Sequence, residues 1–239
     1  MSFQNKFERY EIKFLISQEQ CKNLKEVMKK YMIPDKFGKS TISNIYFDTP
    51  NEVLVRRSNE KPIYKEKLRV RSYGIANDNS TVFVELKKKF NGIVYKRRVD
   101  MLYSDATNYL CKHNAPPKQT QITNEIDYFC SCYENLKPNI ILSYEREAFF
   151  SKEDANFRIT FDKNILWRNY DLSLSKGTYG ENLLENNIIL LEVKTALGIP
   201  LWLTDFLSKN HIYKTSFSKY GTAHSLLIHK KLLGGISVA

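Results

Sequence analysis

Six stretches of the chain set polar, mostly charged residues two positions apart inside β-like runs: Glu11/Lys13, Arg69/Arg71, Glu85/Lys87, Lys96/Arg98, Arg158/Asp162 with Thr160 between, and Glu192/Lys194. Residues two apart share one face of a strand. Apolar residues such as Ile12, Leu68, Val70, Val84, Leu86, Ile159, Phe161, Leu191 and Val193 fill the alternate positions, so the charges belong to the face opposite the packed one. One such strand would be ordinary solvated surface. So many of them imply a lined cavity.

A formal charge of +11 over 239 residues makes an anion the natural partner, and nucleic acid, membrane phosphates and small polyanions all qualify. With 42% hydrophobic residues the chain can bury a real core, which excludes disorder as the default. No apolar run approaches the roughly 20 residues that cross a bilayer, and MSFQNKFERY lacks the apolar segment of a signal peptide; a cytoplasmic protein is the simplest reading. Cys21, Cys111, Cys130 and Cys132 sit in or beside helical patterns and read as reduced thiols. Neither they nor the scattered His113, His211, His224 and His229 have zinc-ligand spacing.

A strand is expected from Phe7 to Ile16, then a helix opened by the Ser17/Gln20 capping box, with Cys21, Leu24, Val27, Met28 and Tyr31 as its apolar stripe and Pro34 as its end. Further strands are expected at Ser43–Asp48, Lys65–Tyr73, Thr81–Lys89 and Ile93–Val99, the last two joined by the hairpin turn Asn91-Gly92. Helical spacing runs from about Ser104 to Leu136, broken by Pro116-Pro117. Strands return at Ile140–Phe149, Phe157–Asp162 and Ile188–Thr195, before closing helices at Pro200–Leu207 and Ser218–Leu232. No repeat or linker-like shift appears, so residues 1–239 are read as one domain.

Strands with charged inward faces cannot enclose a dry core, because each unpaired buried charge costs several kcal/mol or more. A wet barrel of antiparallel strands, with its apolar face turned outward to covering helices, resolves the conflict. The expected fold is therefore α+β.

The segments FERYEIKF, NIYFDTP, KLRVRSYG, VFVELKKK, YKRRVD, LSYEREAF, FRITFD, LLEVKT and FSKY, in this order from about Phe7 to Tyr220, resemble the VTC domain, the polyphosphate polymerase branch of the CYTH or triphosphate tunnel metalloenzyme superfamily. The resemblance implies a tunnel of about eight antiparallel strands whose basic residues grip a triphosphate or polyphosphate while acidic residues hold Mg²⁺ or Mn²⁺. It implies phosphate contacts from Lys13, Arg69, Arg71, Lys87, Lys96, Arg146, Tyr144 and Ser218, and catalytic roles for Arg158, Lys219 and Glu192. Glu192 is the first choice as metal ligand, with Glu85 and Glu11 behind it. Phosphoryl transfer needs such a cradle, since charge spreads over the transferred group while donor and acceptor oxygens are held in line. Arg suits bidentate contacts and Lys acts as a point charge.

The implied activity is transfer of the γ-phosphate of ATP onto inorganic polyphosphate, and removal of Lys219 or Arg158 is expected to abolish it with the fold intact. The superfamily's hydrolases carry ExExK on the first strand, where this chain reads Arg9, Glu11, Lys13. That departure favours the polymerase over the alternative, tripolyphosphate or nucleoside triphosphate hydrolysis. A non-catalytic polyphosphate-binding module is the third reading. Any nucleic-acid binding is expected to be non-specific, as no helix-turn-helix, RRM or zinc-finger pattern is present. In eukaryotic relatives the domain is attached to a phosphate-sensing module and a membrane anchor; a membrane partner and the oligomeric state stay open. Taken singly, each charged pair is more simply a solvated sheet face, and Tyr46 and Asp48 read as shaping the barrel and its turn.

Overall fold

The computed structural model of the chain describes residues 10–91 and 93–234. The expected strand start at Phe7 to Arg9 and Gly92 of the hairpin turn lie outside them. In chain order the elements are β1 (Tyr10–Ser17), α1 (Gln18–Tyr31), β2 (Met32–Asp48), α2 (Val53–Asn59), β3 (Tyr64–Tyr73), β4 (Thr81–Phe90), β5 (Ile93–Leu102), α3 (Tyr103–Lys112), α4 (Gln121–Cys132), β6 (Lys137–Ser151), β7 (Arg158–Arg168), β8 (Glu181–Asn182), β9 (Ile188–Thr195), α5 (Leu201–Lys209), β10 (Lys214–Thr215) and α6 (Lys219–Gly234). The capping box forms as read: Ser17 Oγ accepts from the Gln20 amide, and the Gln20 side chain accepts from the Ser17 amide.

Among the described residues every strand pairing is antiparallel, in the order β10-β1-β9-β7-β6-β2-β3-β4-β5, with β8 beside β7. The eight long strands match the expected number, and β8 and β10 add two-residue pairings. Two expectations need correction. Pro34 does not end α1; the helix stops at Tyr31 and a 17-residue β2 begins at Met32. Proline is tolerated there because the β2–β6 register breaks between Pro34 and Lys39, so a missing ladder amide costs little. The barrel is also not closed by backbone pairing among the described residues. β10 occupies the edge of β1 that would face β5, and the seam is spanned by side chains instead, Lys87 Nζ reaching Glu11 Oε2 at 3.4 Å.

The two faces of the sheet divide as the alternation requires. Leu68, Val84, Leu86, Ile159, Phe161, Leu191 and Val193 are fully buried on the outer face. There α3 and α4 cover β3 to β5 through Ala106, Leu110, Ile126 and Phe129, while α1 and α5 cover β1, β7 and β9 through Cys21, Leu24, Met28 and Leu203. Each such side chain contributes about 1.5–3 kcal/mol. A one-residue slip would exchange them for charges, which fixes the register.

A third cluster lies on the inner side, where Tyr220, Ala223 and Leu227 of α6 meet Ile42, Tyr46, Ile140, Leu142 and Tyr144. It brings α6 against the inward sheet face. Asp48 positions the entry: its carboxylate accepts from the amides of Thr49, Leu54 and Val55 and from the Tyr220 hydroxyl (2.8 Å), tying the end of β2 to the starts of α2 and α6. A Cβ on Gly221 would stand 2.4 Å from Asn59 Oδ1, so glycine permits this close approach of α6 to α2.

Candidate functional site

The register lines up one polar belt around the inner face. Lys96 and Arg98 of β5 face Lys87 and Glu85 of β4, which face Lys67 and Arg69 of β3. Tyr46 and Asn44 of β2 follow, then Tyr144 and Arg146 of β6, Asp162 and Thr160 of β7, Glu192 and Lys194 of β9, and Lys13 and Glu11 of β1. Lys219 enters from the first turn of α6, delivered by the β10 pairing and by a 2.9 Å bond from Lys13 Nζ to the Phe217 carbonyl.

Two carboxylate clusters organise this belt. In one, Glu85 is fully enclosed: Arg69 donates from Nε (2.8 Å) with Nη2 at 2.7 Å, Lys96 Nζ stands at 2.5 Å, and Arg98 and Arg71 lie at 3.7 and 3.9 Å. Arg69 also donates to the Tyr46 hydroxyl, and Arg71 to Asn44 Oδ1 and the Tyr144 hydroxyl. Burial opposes the charge on Glu85, but Arg69, Arg71 and Lys96 outweigh it and hold the carboxyl far below the usual range. In the other, Asp162 takes a two-pronged contact from Arg146 (2.6 Å each) and lies 2.5 Å from Lys219 Nζ. Glu192 accepts from Lys219 (3.0 Å) and Arg146 (3.1 Å), with Lys194 at 3.6 Å and Lys13 at 3.8 Å. Desolvation again opposes ionisation of Glu192, and Lys219 and Arg146 overcome it; the same buried acids push Lys219 upward.

Tyr144 shows the field of this belt. Burial alone would raise its pKa, yet Arg71, Arg146 and Lys219 lower it to about 8.

The sequence-predicted residues are therefore placed as follows. Lys13, Arg69, Arg71, Lys87, Lys96, Tyr144, Arg146, Glu192, Glu85, Glu11, Ser218 and Lys219 all lie on or beside the belt. Arg158 stands at the start of β7, 3.4 Å from Asp35 and over the Phe150 ring. Lys65 and Lys67 were not assigned, although they extend the two-residue period of Arg69/Arg71 backward along β3. Asp162 was recognised as an inward charge but given no role; only the fold shows that it shares Arg146 and Lys219 with Glu192.

Among the described residues, no group of three or more His, Cys, Asp or Glu side chains is assembled to hold a metal ion. Glu192 is directly opposed in register by Thr160, whose buried hydroxyl has no hydrogen-bond partner among the described residues. Such a set suits a hard cation that arrives with phosphate oxygens better than one caged by protein alone. Glu85, fully enclosed, serves as counterion to its four cations; Glu192 is ion-paired to Lys219, Arg146, Lys194 and Lys13 as well, so a cation there would replace part of those contacts.

The VTC domain family model matches residues 8–228. The chain belongs to the VTC domain family. Its fold is that of the CYTH-like tunnel proteins: a candidate adenylate cyclase from Bacillus halodurans superposes with a TM-score of 0.55 at 15% identity, covering 88% of this chain and 95% of that one. A candidate adenylyl cyclase from Hippeastrum, described as having a dominant triphosphatase activity, gives a TM-score of 0.54 at 14% identity over 91% and 95%. Comparison with curated proteins found no match. No described helix of this VTC domain is long and apolar enough to cross a membrane.

Proposed function

We propose that this VTC domain is a metal-dependent polyphosphate polymerase that moves the γ-phosphate of ATP onto a polyphosphate chain. The observation that carries the reading is the convergence of Lys13, Arg69, Arg71, Lys87, Lys96, Arg146 and Lys219 on one inward belt of a curled sheet, held in place by buried carboxylates. Guanidinium groups aimed by Glu85 and Asp162 are pre-oriented, so little reorganisation is needed as charge develops on the transferred phosphate. Lys219 and Arg146 bridge the two acids of the second cluster and present their remaining donors to the phosphate. The Tyr144 hydroxyl, in contact with Arg71, adds a neutral donor. Glu192 would hold Mg²⁺ or Mn²⁺ together with phosphate oxygens, and the bound cation would neutralise charge on the phosphates during transfer. No side-chain nucleophile is needed, since the terminal phosphate of the chain serves as acceptor.

The deciding experiment incubates the purified protein with ATP and Mn²⁺ or Mg²⁺, with and without a short polyphosphate primer, and resolves products by gel and ³¹P NMR. Long chains with stoichiometric ADP, lost in Glu192→Ala, are expected. Orthophosphate without chain growth would replace the reading by triphosphate hydrolysis, and binding without turnover by a polyphosphate-binding module.

A further inference from the structure

Four inward carboxylates, Glu11, Glu85, Asp162 and Glu192, engage nearly every cation around them, but not Lys67. Its Nζ bonds Ser218 Oγ at 3.1 Å and lies 5.6 Å from the centre of the Tyr220 ring; no described carboxylate pairs with it. The groups facing it are Lys65 and Arg69 on its own strand, Lys87 on β4 with Glu85 and Lys89 diagonal to it, Lys13 on β1, and Ser218 and Tyr220 at the start of α6. The acid nearest in register on β2, Asp48, spends both oxygens on backbone amides and the Tyr220 hydroxyl. Glu11 is committed to Lys13 and Lys87.

We propose that the counterion of Lys67 is the phosphate chain itself: parked on Ser218 in the free protein, the amine gains a partner and a proton together when a phosphate oxyanion enters the tunnel. The proton comes from the buffer and the new N–H···O⁻ contact replaces the bond to Ser218 Oγ; no other bond changes. This rests on the reading of the tunnel as a phosphate-chain site. It is supported by burial, and then by Lys87, Lys65, Lys13 and Arg69, which together pull the pKa of the free amine down to about 7. Lys67 Nζ donates to the Ser218 hydroxyl oxygen, which also accepts from the Gly221 amide, so Ser218 offers the amine a neutral acceptor and no countercharge. An incoming polyanion reverses the field that kept the amine neutral. Binding therefore weakens as pH rises through about 7.

Calorimetric titration of the full chain with tripolyphosphate, without divalent cations and in buffers of different ionisation heat, counts the protons taken up. Against Lys67→Arg, which stays charged, the wild type is expected to take up close to one extra proton at about pH 8 and almost none at about pH 6, with its relative affinity falling about tenfold between them. Equal proton counts and parallel pH profiles in the two proteins would overturn the inference. Absence of tripolyphosphate binding in both would instead remove the tunnel reading beneath it. Should the arginine variant fail to fold, the ¹³Cε lysine resonances of the wild type give the same answer. One amine must titrate near pH 7 when free and well above it when tripolyphosphate is bound; none doing so rejects the assignment.

Discussion

The two carboxylate clusters of the tunnel use the same residue types to different ends. Around Glu85, four cations surround a single acid, and Lys96 and Arg98 keep a third or more of their side-chain surface open (39% and 33%). Around Asp162 and Glu192, four cations share two acids, and Lys219 and Arg146 are nearly sealed at 9% and 11%. The first wall keeps a large positive excess facing the lumen and is suited to attract a polyanion. The second carries a smaller excess, with each of its two central cations shared between two acids, and is suited to hold geometry. Charge number thus separates binding from positioning where residue identity does not.

The largest expected effect breaks the cluster around Asp162 and Glu192. Lys219→Ala leaves two buried carboxylates short of a partner, so it should cost about 3–5 kcal/mol of stability as well as activity. A Tm loss on the order of 10 °C is expected for a chain of this size. The contacts of Lys219 with both acids thus predict a cost to the fold, where the sequence alone led to the expectation of an intact one. An unchanged Tm in differential scanning calorimetry would contradict the geometry that ties Lys219 to both acids.

Next comes Glu85→Gln, which keeps the shape but withdraws the charge that holds four cations together. About 3 kcal/mol of destabilisation is expected in urea titrations, recovered in part by added tripolyphosphate, which supplies the missing negative charge. If the anion protects wild type and variant equally, the excess-charge account of this wall fails.

Acid sharpens the contrast further. Glu11, Glu85, Asp162 and Glu192 all have folded pKa values depressed below their unfolded values of about 3.9–4.3, so the unfolded chain binds more protons in that range. Their stabilisation is fully present above about pH 5 and is lost as pH falls through the folded values. Urea midpoints should therefore drop steeply below about pH 5, and less so in Glu85→Gln than in wild type.

The smallest structural effect is expected at Arg158, which stands 35% exposed beside Asp35. Arg158→Ala should change stability by no more than about 1 kcal/mol. Turnover assays on the same sample then report its role in the proposed chemistry without a folding contribution, the reverse of what Lys219 allows.

Much of the fold was legible because alternation has only one satisfactory solution here. Leu68 and Leu86 had to be buried on one stretch of the outer face and Ile159 and Leu191 on another, and that set the opposite face of the same strands to charge. The capping box at Ser17 and the β3–β4–β5 meander were equally local, since turn and cap chemistry act over a few residues. Pro34 misled because its neighbours gave no sign of the register break that accommodates it.

Within the site, the sequence by itself determined which residues face inward, because a strand's period is a local property of the backbone. It could not decide which inward charges meet. Arg146 reaches Glu192 across 46 positions, Lys13 reaches Phe217 across 204, and Lys67 reaches Ser218 across 151. Those distances are set by strand order and by the inward placement of α6. Only the tertiary structure therefore assigned Asp162 and Glu192 to one pair of cations, Glu85 to another group, and Lys67 to none, because pairing of charges depends on through-space geometry that sequence spacing does not encode.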